Sequence, residues 1–288
     1  MRTRRLVAAL SVGSFLFLAV GAAATSVSSV GVARVSFQRF EGGFSGFGHS
    51  KAQVRRGSVG LSVDFSLVSD FANRRGALFQ RFPFATLFAD LYIDRRVHVR
   101  PFVAAECPPE RIKALDPTLN IVSTCEAVTQ LGRGLASGYA RAVSSPPGQS
   151  LRRVELQSRL FRGPSRSSFI LYVYSEFSKE NLIFATVSRI RRAGPYGTRV
   201  RFVIPRGLIA PAPSIISQLS GFQIRVPATA AGGQGVFRLS RCPTNRKVRL
   251  GFRADYNENL FTNGPVKNAD GYAVTSSSPL LGVSSPCR

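Results

Sequence analysis

Val59-Gly60-Leu61-Ser62-Val63-Asp64-Phe65-Ser66-Leu67 alternates large apolar residues with glycine, serine and aspartate. A period of two sends one row of side chains to a core and the other to water, which is the mark of a half-buried strand. The same alternation runs through Leu91, Ile93, Val97 and Val99, through Val200, Phe202 and Ile204, through Phe222, Ile224 and Val226, and through Val248, Leu250, Phe252 and Ala254. Phe169 to Tyr174 and Leu182 to Val187 are more continuously apolar, as central strands of a two-layer core are. Gly163-Pro164, Gly194-Pro195-Tyr196-Gly197, Pro205-Arg206-Gly207, Gly232-Gly233 and Asn263-Gly264 punctuate these runs. Short strands with such turns between them predict an all-β fold, a sandwich or jelly-roll-like domain.

One segment breaks the pattern. After Cys107, Pro108 and Pro109 set φ where a helix can begin, and Ile112 and Leu115 share a helical face, so Pro108 to Leu115 reads as one or two helical turns. Ser123 and Glu126 have capping-box spacing, Val128 and Leu131 share a face, and Gly132 stands at a C-cap position. These features predict a second short helix, joined to the first through Asp116-Pro117. The four cysteines, Cys107, Cys125, Cys242 and Cys287, allow three pairings in an exported chain. Proximity favours Cys107 with Cys125, closing the helical insertion, and Cys242 with Cys287, pinning the tail. Zinc is the rival use of cysteine, but no pair has close ligand spacing and the only histidines are His49 and His98. No metal site and no cofactor are expected.

Export is read at the N-terminus. Arg2, Arg4 and Arg5 precede the uncharged apolar run Leu6 to Val20, and Ala22-Ala23-Ala24 supplies small residues for cleavage. Residues 1–24 are therefore expected to be a signal peptide, with an uncleaved membrane anchor as the alternative. Residues 25–57 form a Gly/Ser/Phe-rich arm, with Phe37, Phe40, Phe44 and Phe47 between glycines and arginines. Residues 58–288 follow as the β-rich domain, interrupted by an internal loop near 144–150, where Ser144-Ser145-Pro146-Pro147-Gly148 lies.

Charge limits the partners. The formal net charge is +24, and +21 without the three leader arginines. Of 39 basic residues only Lys51, Lys113, Lys179, Lys247 and Lys267 are lysines. Such a field gathers anions at the surface, which suits anionic cell-wall polymer or a lipid surface. Specific nucleic-acid binding is not expected, because the arginines are dispersed, with a few pairs, no basic run and no zinc, RRM or basic-helix motif. The pairs Arg95-Arg96, Arg152-Arg153 and Arg191-Arg192 neighbour strand ends and are the candidate anion-binding residues, since guanidinium groups there can grip phosphate or carboxylate oxygens two at a time.

Catalytic candidates are few. The chain has no Gly-x-Ser-x-Gly elbow, no His-Glu-x-x-His and no phosphate-cradling Gly-Lys loop. His98 alternates with Val97 and Val99 and is expected to face solvent. Asp90, Asp94, Glu176 and Glu180 are the carboxylates closest to a hydrolytic pair, but they read better as solvated strand ends and turns. Asp255, Asn257 and Asn259 have calcium-loop spacing, yet Leu260 and Val266 stand at the glycine and glutamate positions, so Asp255 to Gly264 reads as a hairpin loop.

The succession of a strand, Cys107-Pro108, Cys125, Leu131-Gly132-Arg133-Gly134, a strand, Tyr196-Gly197, Ile204-Pro205, Cys242-Pro243 and a last strand resembles a loosely defined group of secreted, β-rich, disulfide-containing bacterial proteins without an assigned activity. The likeness covers roughly Leu91 to Tyr256. It departs at Cys125, which is followed by Glu126 where the group commonly has proline. The resemblance implies export and a β fold, not a reaction. Two functions fit these features: a secreted non-catalytic module associating with the cell envelope or another polyanionic surface, and an extracellular hydrolase with an unrecognised carboxylate pair.

Overall fold

Period-two patterning becomes antiparallel pairing throughout. The structure is a computed structural model that describes residues 37–45, 62–70, 85–114, 129–142, 152–174, 182–191, 193–212, 215–226, 235–257, 273–274, 276–278 and 280–286. Its strands are β1 (Phe37–Ser45), β2 (Ser62–Asp70), β3 (Ala85–Asp94), β4 (Val97–Val99), β5 (Gln130–Ala142), β6 (Arg152–Arg162) and β7 (Ser168–Val173), then β8 (Leu182–Arg189), β9 (Tyr196–Val203), β10 (Ile215–Arg225), β11 (Phe237–Leu239), β12 (Lys247–Asn257), β13 (Ser276–Ser277) and β14 (Leu281–Pro286). Twelve of them form one sheet in the order β1-β2-β10-β5-β6-β7-β8-β9-β3-β12-β13, with β14 also paired to β12. The sheet curls until β1 comes alongside β14. The fold is all-β, and the described strands all fall in one unit, Gly31–Arg288.

Inward rows of the alternating strands make the core. Leu87, Leu91 and Ile93 of β3, Val248, Leu250 and Phe252 of β12, Phe169 and Leu171 of β7 and Val200 of β9 are buried together. Burying a side chain of this size is worth about 1.5–3 kcal/mol. The unbroken apolar run of β7 has a separate cause. Its other row, Ile170 and Tyr172, packs with Phe161 and Leu182 under Cys107 and Ile112. Those two come from the Cys107 segment, whose helix α1 (Pro109–Lys113) falls where the proline pair predicts one. The segment thus covers the outer face of the sheet at β7, leaving that strand dry on both sides.

Several expectations need correcting. Leu91 to Val99 is not one strand. A turn at Arg95-Arg96 divides it, and β4 pairs with β11 in a separate ribbon, His98 opposite Arg238. Gly132 does not cap a helix but lies within β5, where a Cβ would stand 2.8 Å from the Arg225 carbonyl oxygen. Close approach of the chain end of β10, rather than a left-handed backbone, is what requires glycine there. Arg206-Gly207 opens a short helix, α2 (Arg206–Ile209), instead of a turn. Part of the Gly/Ser/Phe-rich stretch is strand β1, its period hidden by Gly42 and Gly43. The leader 1–24, Asp116-Pro117, the 144–150 loop and the two-glycine and Asn263-Gly264 turns lie outside the described residues.

Candidate functional site

Asp94 closes the outward row of β3, and a register shift between Ile93 and Asp94 brings it opposite Tyr196 of β9. Asp94 is 1% exposed. It accepts the backbone N–H of Arg96 at 3.0 Å and that of Arg249 at 3.2 Å. One buried acid therefore ties the β3–β4 turn to the start of β12. The Arg96 guanidinium passes at 3.8 Å, a longer and weaker contact than these hydrogen bonds.

The β8–β9 turn closes a third side. The Arg95 N–H donates to the Pro195 carbonyl at 3.1 Å, and its guanidinium donates to the Gly194 carbonyl. A Cβ on Gly197 would lie 2.6 Å from the Arg95 Cα, so glycine allows the two turns to touch. The result is a cleft of about 310 Å³ with Asp94 at its floor and Arg95, Arg96, Lys247 and Arg249 around it. Four basic residues and one buried carboxylate line it, so the concavity carries a net positive charge. It suits a small multiply charged anion or one unit of a longer polyanion.

Tyr196 makes the wall beside it. Its ring lies over Gly251 and Gly282, where a Cβ would come within 2.9 and 3.0 Å, and it meets Tyr92 at 5.8 Å between centroids. Burial pushes the Tyr196 hydroxyl above the ordinary tyrosine value; Arg249 pulls it down and Asp94 raises it.

A second outer cluster has different chemistry. Asp90 receives Nε and Nη2 of Arg201 at 2.7 and 2.6 Å, and Asp255 takes the same Nη2 at 3.4 Å. The guanidinium also lies over Phe88 at 4.8 Å. Its proton is held more tightly than usual, chiefly by the hydrogen bond to Asp90, against the opposing cost of burial. Asp90 and Asp94 are buried and engaged, not the solvated strand ends their pattern suggested, because partners opposite each one satisfy the carboxylate. Asp255 is likewise within β12 rather than in a hairpin loop, accepting from Ser277 at 2.6 Å.

Arg191 is exposed in the β8–β9 turn, at the same strand ends as Arg95 and Arg96, while Arg192 lies outside the described residues. Arg152 and Arg153 open β6, opposite Ala140 and Tyr139. That is the far end of the strands from Arg162, which neighbours the β6–β7 turn. Lys247 and Arg249 were missed, although Lys247-x-Arg249-x-Gly251-x-Arg253 is the outward half of the β12 alternation whose inward half is plain. His98 is exposed on β4 as expected. Cys107 is buried, Cys242 is half-buried, and no cysteine among the described residues is free. Cys125, Cys287, His49, Glu176, Glu180 and Asn259 lie outside them. No family model matches this chain, and no curated protein or solved structure matches it.

Proposed function

We propose that this protein is an exported, non-catalytic module that attaches to polyanionic surfaces such as cell-wall polymer or anionic lipid, with the Asp94 cleft as its anion-holding point. The reading includes the cleavable leader 1–24, the pairings Cys107–Cys125 and Cys242–Cys287, membership of the secreted β-rich group, and a sandwich-like arrangement of the curled sheet. The observation that carries it is that Arg95, Arg96, Lys247 and Arg249 line one cleft with a buried carboxylate that already accepts two backbone N–H groups. Hydrolysis would need a carboxylate pair that exchanges protons. Asp90 is instead clamped by a guanidinium and Asp94 by two amides, which favours attachment over the hydrolase reading.

Retention on immobilised dextran sulfate tests it. Arg95→Ser with Arg96→Ser is expected to elute at clearly lower salt than the parent, whereas Arg152→Ser with Arg153→Ser, at the other end of the strands, is expected to elute close to it. Equal losses from both pairs would mean that net charge, not a site, does the binding.

A further inference from the structure

Phe102 is 44% exposed, although it lies in a surface rich in arginine. It belongs to a 3-10 turn, Pro101–Val103, directly after β4. The Arg100 guanidinium carbon stands 5.3 Å from its ring centroid, and that of Arg166, from the β6–β7 turn, 5.9 Å. The ribbon of β4 and β11 leads back from Phe102 to the cleft. It turns Val97, Phe237 and Leu239 inward and leaves His98 and Arg238 exposed. An apolar ring between two guanidinium groups thus lies at the end of that ribbon, with Glu106 close by in sequence and paired to Arg162.

We infer that this surface docks on an anionic lipid bilayer, with Phe102 entering the headgroup–acyl boundary while Arg100 and Arg166 engage lipid phosphates. The inference rests on the proposed attachment function and narrows its partner to lipid. A soluble or wall polyanion satisfies the arginines but offers no apolar layer for the ring. At a bilayer interface an aromatic ring is buried and the guanidinium groups stay at phosphate level, joined to anionic heads by charge-assisted hydrogen bonds. The two arginines on the ring also hold their charge beside the point of entry, since a guanidinium over an aromatic face is favourable.

The chain contains no tryptophan, so Phe102→Trp in the exported protein is a clean local reporter. Its emission is expected to shift to the blue with vesicles of phosphatidylglycerol and phosphatidylcholine, and to stay unchanged with phosphatidylcholine alone or with dextran sulfate. Phe102→Ala is expected to weaken partitioning to the mixed vesicles about five- to tenfold, in line with losing part of an aromatic side chain's burial. Its retention on dextran sulfate should match the parent. Phe184→Ala, which removes another exposed ring on β8, serves as the control and should partition like the parent. Vesicle binding without a blue shift, or with Phe102→Ala unimpaired, would overturn the lipid inference and leave anion attachment standing. Binding to dextran sulfate but not to vesicles would also overturn it and assign the surface to a polymer. Binding to neither would remove both the inference and the function on which it rests.

Discussion

Asp90 and Asp94 lie on the same outward row of one strand, both buried, yet they are satisfied in opposite ways. Asp90 is held by a side-chain guanidinium in two-point contact, so an acid and a base neutralise one another within the sheet face. Asp94 is held by two backbone amides. Arg96 and Arg249, whose N–H groups it accepts, line a cleft with Arg95 and Lys247. A buried carboxylate can thus consume an arginine or merely position several, and strand register decides which. Arg201 faces Asp90 directly, whereas the shift after Ile93 puts Tyr196 and not an arginine opposite Asp94.

Removing Asp90 should expose the first half of this contrast most strongly. Breaking a fully buried pair costs about 3–5 kcal/mol. Arg201 is 32% exposed and keeps Asp255, so solvent screening reduces the expected loss for Asp90→Ala to about 2 kcal/mol. Urea unfolding measures it, and retention on dextran sulfate should stay near that of the parent. A stability change within error would show that the pair is as weak as an exposed one.

Gly197→Ala attacks the contact between the two turns. The added Cβ meets the Arg95 backbone at 2.6 Å, and overpacking of this kind costs about 1–3 kcal/mol. Because the Arg95 turn must move, this substitution should lower both melting temperature and anion retention. If stability fell while retention held, the cleft would not depend on the packing of those turns.

Arg96→Gln with Arg249→Gln isolates the second half of the contrast. The Asp94 hydrogen bonds come from backbone N–H groups and survive the change, so stability should stay within about 0.5 kcal/mol. Binding of short polyphosphate should weaken about tenfold at low salt and less at high salt, where screening already reduces the attraction. A large loss of stability would make these side chains part of the fold rather than of a site.

The smallest effect is on pH. Tyr196 is raised above the ordinary tyrosine value by burial. It is therefore harder to ionise in the folded than in the unfolded chain, and the stability this represents is intact below the unfolded value and lost as pH climbs through the raised one. In an alkaline absorbance titration Tyr196→Phe should remove a late-ionising component, and the mutant should lose less stability in that alkaline range. Unchanged titration curves would place Tyr196 in water.

Strands with a clean alternation were legible because burial on one face imposes a period of two, as in Val248 to Ala254 and Val200 to Ile204, whereas β1, β6, β11, β13 and β14 offered no run that was read as a strand. Helix α1 was legible because a proline pair leaves few conformations open. What escaped depended on neighbours distant in sequence. Gly132 looks alike at a helix end and against the Arg225 carbonyl. Similarly, Leu91 to Val99 keeps its alternation across a turn that only pairing with β11 reveals. Arg95 and Arg96 could be chosen for their position near a strand end, but Arg249 joins them through Asp94, which accepts its N–H from a neighbouring strand, and Lys247 follows on the same row of β12. The partners of Asp90 were hidden for the same reason.

The proposed function puts anions on a particular cluster rather than on the net charge of +24. Nuclear magnetic resonance of arginine Nε–H groups during a titration with short polyphosphate tests it most directly. Saturable shifts are expected at Arg95, Arg96 and Arg249, with the Arg201 signal, locked to Asp90, nearly still. Small, non-saturating shifts spread evenly over all resolved arginines would contradict it.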